Sequence, residues 1–420
     1  MKKTLVLFCV ILLLLQTACA KDSGHVENGS AGETPSGGEE VHVLKLAPED
    51  RSQTLNCTIF FETAEAYYYG DFNDLLYFCP RGGTKFQALC SKPNCKHAAE
   101  GNPRNCNAWV GDLCACGYYN GAIYYLEDDG WGNELSLCRM ELDGTGHQVV
   151  ANLKFDDGRI LRCGISPVFH HGKLIIRWTD DTSPLEEQQD YLTVVELSDY
   201  SYRDILEDYL QMARLPWGLV YYKDKLYGEG TGDQSLNDCE PDDFNWVELD
   251  MSSEKGRTLF PKYRFNSENA GILDLYVTDD TLYYYECLDN RESFGDAADI
   301  YVPGFREYDL KTGEIRDCGN PPGADDIVYA SYDDDVIYAL SFVRNEKLER
   351  TIYFLYRDYK LLDQIEMKDG IGLVAVTSDR IFFSGNGMPI GYYLDKSQIG
   401  THDMRLKTIE MLDVKMDYGE

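Results

Sequence analysis

Short runs rich in Tyr, Leu, Val and Ile, separated by turn-forming residues, dominate the chain, and helical spacing is scarce. One motif recurs: a turn residue, a variable residue, then an apolar pair that usually ends in an aromatic. It reads Asp74-Leu-Leu-Tyr77, Gly121-Ala-Ile-Tyr124, Gly172-Lys-Leu-Ile175, Asp224-Lys-Leu-Tyr227, Asp280-Thr-Leu-Tyr283, Asp335-Val-Ile-Tyr338 and Asp379-Arg-Ile-Phe382. The seven anchors stand 47, 51, 52, 56, 55 and 44 residues apart. Most follow Asn, His, Lys, Asp or Ser, as in Asn120-Gly121 and Asp279-Asp280, which is the chemistry of a tight hairpin turn with positive φ.

A second signal follows most anchors by roughly 20–30 residues: an apolar residue, a charged one, Leu, then a turn. It appears in MELDGTG (Met140–Gly146), VELSD (Val195–Asp199), VELD (Val247–Asp250), YDLKTG (Tyr308–Gly313) and MRLKT (Met404–Thr408), and more weakly in LYRDY (Leu355–Tyr359). Two hairpins per unit make four strands. Seven such units predict an all-β fold, a seven-bladed β-propeller of four-stranded blades, because radial repetition leaves only short sheet edges exposed. A β-sandwich or two smaller β domains is the alternative, and only Tyr202–Ala213 has the spacing of a surface helix.

In a propeller the anchors and the third-to-fourth-strand turns share one face, and the second-to-third-strand loops share the other. The latter loops are long: Glu127–Glu134, Trp178–Asp190, Glu229–Asn245 and Glu286–Asp299. They place Asp128, Asp129, Asp180, Asp181 and Asp289 beside Trp131, Trp178 and Phe294, an acidic, aromatic-lined surface for a protein, a sugar or a cation. A solvated acidic loop face is the plain alternative. The 31 tyrosines read as half-buried strand packing with the hydroxyl reaching water or backbone.

The repeats, IYYLEDD and LCRMELDGTG above all, resemble YWTD-type and TolB-like propellers from about Cys57 onward. The chain as a whole is similar to poorly characterised lipoproteins of anaerobic, clostridia-like bacteria. Fold alone does not supply a function.

The N-terminus has the order of an export signal: Lys2 and Lys3, an apolar run from Leu5 to Leu15, then small residues. Gln16-Thr17-Ala18-Cys19 resembles a lipobox, which implies a signal peptide over 1–18 and lipid on Cys19, although Gln16 stands where Leu is usual. The location implied is the outer face of the cytoplasmic membrane. Cleavage after Ala18-Cys19-Ala20 would instead release a soluble secreted protein. Residues 19–40, rich in Gly, Ser and Glu, read as a flexible tether, and 41–420 as the propeller.

The segment CSKPNCKHAAEGNPRNC brings Cys90, Cys95, His97 and Cys106 together, with Cys79 just upstream, as a Cys-rich insertion at about 79–106 in the first blade. With little apolar content it needs a staple, and it stands where the first unit's fourth strand is expected. Disulfides among Cys79, Cys90, Cys95 and Cys106 are the first reading in an exported protein. A structural zinc on Cys90, Cys95, His97 and Cys106 is the second, and no other cofactor is implied. The anaerobic habitat implied by the resemblance favours reduced thiols. Cys114 and Cys116 alternate onto one strand face as possible extra partners. Cys138, Cys163, Cys239, Cys287 and Cys318 read mostly as buried small apolar residues.

There are 72 acids against 39 bases, a net charge of −33, a field that repels phosphate backbones and anionic lipid surfaces, favours cations or basic partners, and argues against nucleic-acid binding. The chain contains no G-x-S-x-G, no H-E-x-x-H and no phosphate loop. The chain reads as a monomeric ligand- or protein-binding or scaffolding module. The alternative is a glycoside hydrolase or lyase using carboxylates in the propeller funnel.

Overall fold

The computed structural model describes residues 59–412 except 71–74, 98–104, 112, 129–133, 155–158, 162–166, 181–189, 206–219, 231–244, 262–269, 290–299, 320–326, 334–335, 346–347, 368–370 and 386. The chain divides into two units, Met1–His42 and Val43–Glu420, and the described residues all belong to the second. The leader, Cys19 and the tether lie outside them. Among the described residues no helix is long and apolar enough to cross a membrane.

Among the described residues, strand pairing resolves into seven sheets. Sheet 1 holds β1 (Phe60–Glu62), β2 (Ala66–Gly70), β3 (Leu76–Pro80) and β4 (Lys85–Ala88). Sheet 2 holds β5 (Leu113–Tyr119), β6 (Ala122–Asp128), β7 (Glu134–Glu141) and β8 (Gln148–Lys154). In sheet 3 the first strand is split into β9 (Arg159–Leu161) and β10 (Val168–His170), both paired with β11 (Lys173–Asp180), and β12 (Asp190–Glu196) and β13 (Tyr202–Ile205) follow. Sheet 4 holds β14 (Val220–Tyr222), β15 (Lys225–Gly230), β16 (Asn245–Asp250) and β17 (Lys255–Pro261). Sheet 5 holds β18 (Ala270–Val277), β19 (Thr281–Asp289), β20 (Ile300–Asp309) and β21 (Ile315–Gly319). Sheet 6 holds β22 (Ile327–Asp333), β23 (Val336–Asn345), β24 (Leu348–Arg357) and β25 (Lys360–Met367). Sheet 7 holds β26 (Leu373–Val376), β27 (Arg380–Gly385), β28 (Met388–Asp395) and β29 (Lys407–Thr408). Finally β30 (Glu410–Met411) returns to sheet 1 and runs parallel to β4.

The sheets pack on one another in chain order because alternate side chains of a strand point to opposite faces, and both faces are covered. In β11, Leu174 and Ile176 join Leu126 and Leu137 of sheet 2, whereas Ile175 joins Leu226 and Val247 of sheet 4. Runs such as KLIIRW are therefore apolar at successive positions. Tyr222 and Tyr227 of sheet 4 meet Leu282 and Tyr284 of sheet 5. Sheets 5 and 6 meet through β18 and β20 against β22, and Leu355 and Met367 of sheet 6 pack on Ile381 and Phe383 of sheet 7. One cluster then joins Phe382 and Tyr393 of sheet 7, Tyr67 and Phe86 of sheet 1, and Ile123 and Tyr125 of sheet 2. The molecule is an all-β propeller with four-stranded blades.

The seam between sheets 7 and 1 is also polar. The buried Arg380 donates to the Gly83 carbonyl at 2.6 Å and to Asp395 at 3.2 Å, with its guanidinium 4.2 Å from the Tyr393 ring. Arg81 bonds to Glu62, to Ser378 Oγ and to Asp379, and the Tyr67 hydroxyl donates to Asp379 at 2.6 Å. The Glu410 and Leu412 amides donate to the Thr84 and Phe86 carbonyls at 3.0 and 2.8 Å.

Turn chemistry explains which signals locate strands. Asn120-Gly121 and His171-Gly172 are both left-handed, with φ of 46° and 82°, and of 48° and 74°, as two-residue hairpin turns require. A different turn recurs at Thr63, Thr278 and Thr377, whose hydroxyls accept the amides of Ala66, Thr281 and Arg380. Third-to-fourth-strand turns are fastened by Asp143, Asp199, Asp250 and Asp309, each accepting backbone amides two or three residues on.

Several expectations need correction. Asp74 precedes the third strand of its sheet, β3, and not the second; the first turn of sheet 1 is the Thr63 turn. Sheet 1 does have a fourth strand, β4, and the Cys-rich segment follows it. MRLKT overlaps β29, while β28 ends at Tyr393-Leu-Asp395. Tyr202–Ile205, expected to open a helix, is β13, held to β12 by the Tyr202↔Val195 pairing, and 206–213 lie outside the described residues. Tyrosine packing is deeper than expected: Tyr67, Tyr77, Tyr227, Tyr276, Tyr284 and Tyr356 are fully buried. Hydroxyls such as those of Tyr67 and Tyr222 reach an acid on a neighbouring sheet, Asp379 and Asp279.

Candidate metal centre

Leaving β4, the chain passes Leu89 and enters the segment that carries Cys90, Cys95 and His97. It returns through Cys106 to Trp109, which bridges to Leu75. The two necks are held together. The Leu76 amide donates to the Ala108 carbonyl and the Leu89 amide to the Leu76 carbonyl, both at 2.8 Å. They rest on the third-to-fourth-strand turn of sheet 2. There Gly144 has φ of 78°, and a Cβ on it would stand 2.3 Å from the Leu89 carbonyl oxygen and 3.3 Å from that of Asn107. His147 completes the dock: its Nε2 meets the Asn107 carbonyl and its Nδ1 the Tyr125 hydroxyl, each at 2.8 Å. The sequence gives no special sign of His147, since a histidine after a DGTG turn has many explanations.

Across this base the chain brings four ligand atoms together. One side-chain atom each from Cys90, Cys95, His97 and Cys106 lies within 4.8 Å of the others, and His97 Nδ1 is 3.5 Å from Cys106 Sγ. Local backbone makes the loop tight: Asn94 and His97 are left-handed, with φ of 62° and 46°, and the Cys95 amide donates to the Lys92 carbonyl. Lys92 Nζ crosses the loop to the Asn105 carbonyl at 2.6 Å.

Cys90 and Cys106 do not share one electrostatic environment. Burial raises the Cys90 thiol, but this is outweighed by backbone N–H groups of Lys92 and Asn107 and by the Cys95 and Cys106 thiols, so its pKa falls below the ordinary thiol value. Cys106 is pushed up to about 12, chiefly by burial and further by its sulfur neighbours, although the Ala108 amide favours its thiolate. The site alone accommodates one thiolate more readily than two.

The disulfide expectation finds no support: Cys79, Cys90, Cys95 and Cys106 are unbridged cysteines. Cys79 is not part of the cluster. It is fully buried beneath the turn between β3 and β4, with its Sγ 3.6 Å from the Pro80 carbonyl, and burial raises its pKa. Cys114 and Cys116 do not share a face either, because a register shift between Leu113 and Ala115 sends Cys114 toward the sheet 2–sheet 3 core and Cys116 toward the sheet 1 core. Cys138 is buried as expected and Cys318 is half-buried; Cys163 and Cys239 lie outside the described residues, and Cys287 is placed only as a position in β19.

Of the acidic loop face, Asp129, Trp131, Asp181 and Phe294 lie outside the described residues. Asp128, Trp178, Asp180 and Asp289 are placed by backbone, in the last residues of β6, β11 and β19. Each of these is the second strand of its sheet, so the four positions occupy corresponding ends of sheets 2, 3 and 5. Acids at the opposite strand ends are already engaged. Asp224 accepts from Lys173 at 2.7 Å, Asp279 accepts from Tyr222 at 3.1 Å and pairs with Lys223, and Asp379 belongs to the seam.

No family model and no curated protein matches the chain. Among solved structures it is similar to the β-propeller domain of the Trilobed protease from Pyrococcus furiosus, with 12% identity and a TM-score of 0.42 over 70% of this chain and 82% of that one. It is also similar to the computationally designed Ika8 protein, with 10% identity and a TM-score of 0.39 over 84% and 83%.

Proposed function

We propose that this chain is an exported, lipid-anchored scaffold: a seven-bladed propeller that binds a basic protein segment at the ends of its sheets where second strands run into third strands. The single observation behind this reading is the asymmetry between the two strand ends. The first-to-second-strand turns are short, and their acids pair across neighbouring sheets. The four long second-to-third-strand segments named above carry 20 acids and one base, Arg291. Seven sheets in chain order, with sheet 7 packed on sheet 1, support a single ring. Such a ring gathers these segments on one face, where a rigid scaffold presents variable loops. A field of this sign draws in a cationic partner. The tether of 19–40 and a lipid on Cys19 fit the same reading, in which the propeller is held near a membrane while its acidic face stays free.

The test is titration of a lysine-rich peptide into the wild type and into the triple variant Asp128→Asn, Asp180→Asn, Asp289→Asn. Affinity is expected to fall about tenfold, at roughly 0.5 kcal/mol per charge removed, and to weaken with salt. Equal affinity in the two proteins, or binding indifferent to salt, rejects the acidic face as the contact surface.

A further inference from the structure

We propose that Cys90, Cys95, His97 and Cys106 hold one zinc ion, and that this ion is a structural clasp fastening the link between sheets 1 and 2. The first ground is convergence. Four potential ligands of two kinds, separated by up to sixteen residues of chain, place their donor atoms within 4.8 Å of one another. In a tetrahedral site with Zn–S of about 2.3 Å and Zn–N of about 2.0 Å, neighbouring ligand atoms stand about 3.5–3.8 Å apart. The His97 Nδ1 to Cys106 Sγ distance is already 3.5 Å. Small rotations of half-buried side chains complete the shell.

The second ground is the backbone of the loop. Asn94 and His97 are left-handed, with φ of 62° and 46°, and the Cys95 amide donates to the Lys92 carbonyl at 3.3 Å, so the chain turns tightly between Cys90 and His97 and keeps their ligand atoms together.

The third ground is sulfur arithmetic. With Cys79 apart, the cluster holds three sulfurs. Any one disulfide leaves a thiol over and gives the imidazole no part, whereas a divalent cation uses all four groups. Three thiolates and an imidazole are soft donors in the set that zinc takes in closed structural sites. A doubly charged ion also removes the difficulty of holding several thiolates together in a half-buried site. Four protein ligands leave no position for substrate, so the ion's work is mechanical. The segment has almost no apolar residues with which to pack itself, and its necks rest on Gly144 and His147 of the next sheet. On binding, each thiol that ligates releases its proton to solvent and no electrons move.

The experiment is elemental analysis of the full chain, purified under reducing conditions and incubated with zinc, alongside Cys95→Ser, His97→Ala, His97→Cys and Cys318→Ser. About one equivalent of tightly held zinc is expected in the wild type, in Cys318→Ser and in His97→Cys, which offers four thiolates. Cys95→Ser and His97→Ala are expected to lose at least about tenfold in zinc affinity. Cobalt in place of zinc reads coordination in the wild type without any variant, and the strong visible bands of tetrahedral cobalt–thiolate are expected. A wild type that takes up no zinc when fully reduced overturns the proposal. So does a weak octahedral cobalt spectrum, or retention of zinc by both Cys95→Ser and His97→Ala.

Discussion

Replacing Phe382 with alanine is expected to remove about 3–5 kcal/mol of folding stability, the cost of truncating a fully buried aromatic side chain. Phe382 has no exposed surface, and its ring meets those of Phe60, Tyr67 and Phe86 on sheet 1 at centroid distances of 5.3, 4.9 and 5.9 Å. It also meets Tyr393 on its own sheet at 6.4 Å. The void would open where the last blade meets the first. Neighbours cannot simply collapse into it, because Tyr67 is fixed to Asp379 and Arg380 to Gly83. Urea unfolding of the two proteins measures the difference. A loss under about 1 kcal/mol, what a side chain in a loose surface contact would give, means that sheets 7 and 1 do not share this core.

The second large effect is on acid stability. His170 is buried on β10, and its ring nitrogen Nε2 meets the Lys223 carbonyl of sheet 4 at 2.8 Å. Burial first, then the nearby His171 and Lys173, hold its pKa down to about 4, while the carbonyl and Asp224 oppose the shift. The unfolded chain binds a proton near pH 6.5, whereas the folded chain resists it until about pH 4. The contribution is therefore whole above pH 6.5 and is lost as the pH falls toward 4. The gap corresponds to ~3 kcal/mol. His170→Gln keeps a donor for the Lys223 carbonyl but cannot titrate. Between pH 6.5 and pH 4 the wild type should therefore lose ~3 kcal/mol relative to the variant. Parallel stability curves would show that the imidazole takes up its proton equally in both states.

The architecture was legible where turns carry their own chemistry. Asn120-Gly121 and the Asp143, Asp199, Asp250 and Asp309 turns mark strand ends because their side chains or left-handed backbones are needed locally. Sheet 1 was misphased because Asp74-Leu-Leu-Tyr77 imitates that chemistry ahead of the third strand. Its true first turn depends on the Thr63 hydroxyl, a signal that emerges only beside Thr278 and Thr377. In the cysteine segment the ligand types could be named from sequence, but not their company. The exclusion of Cys79 depends on its place beneath the Gly83 turn, and the support from His147 and Gly144 comes from a neighbouring sheet. Contacts made across sheets leave no periodic trace in either partner.

Strand β30, paired parallel to β4, joins the last of the sheets to the first. Hydrogen exchange at the Glu410 and Leu412 amides tests it most directly, since these donate to the Thr84 and Phe86 carbonyls. In a closed ring both amides are protected together with those of β3 and β4. Exchange at the rate of an unstructured chain while β3 and β4 stay protected would contradict closure.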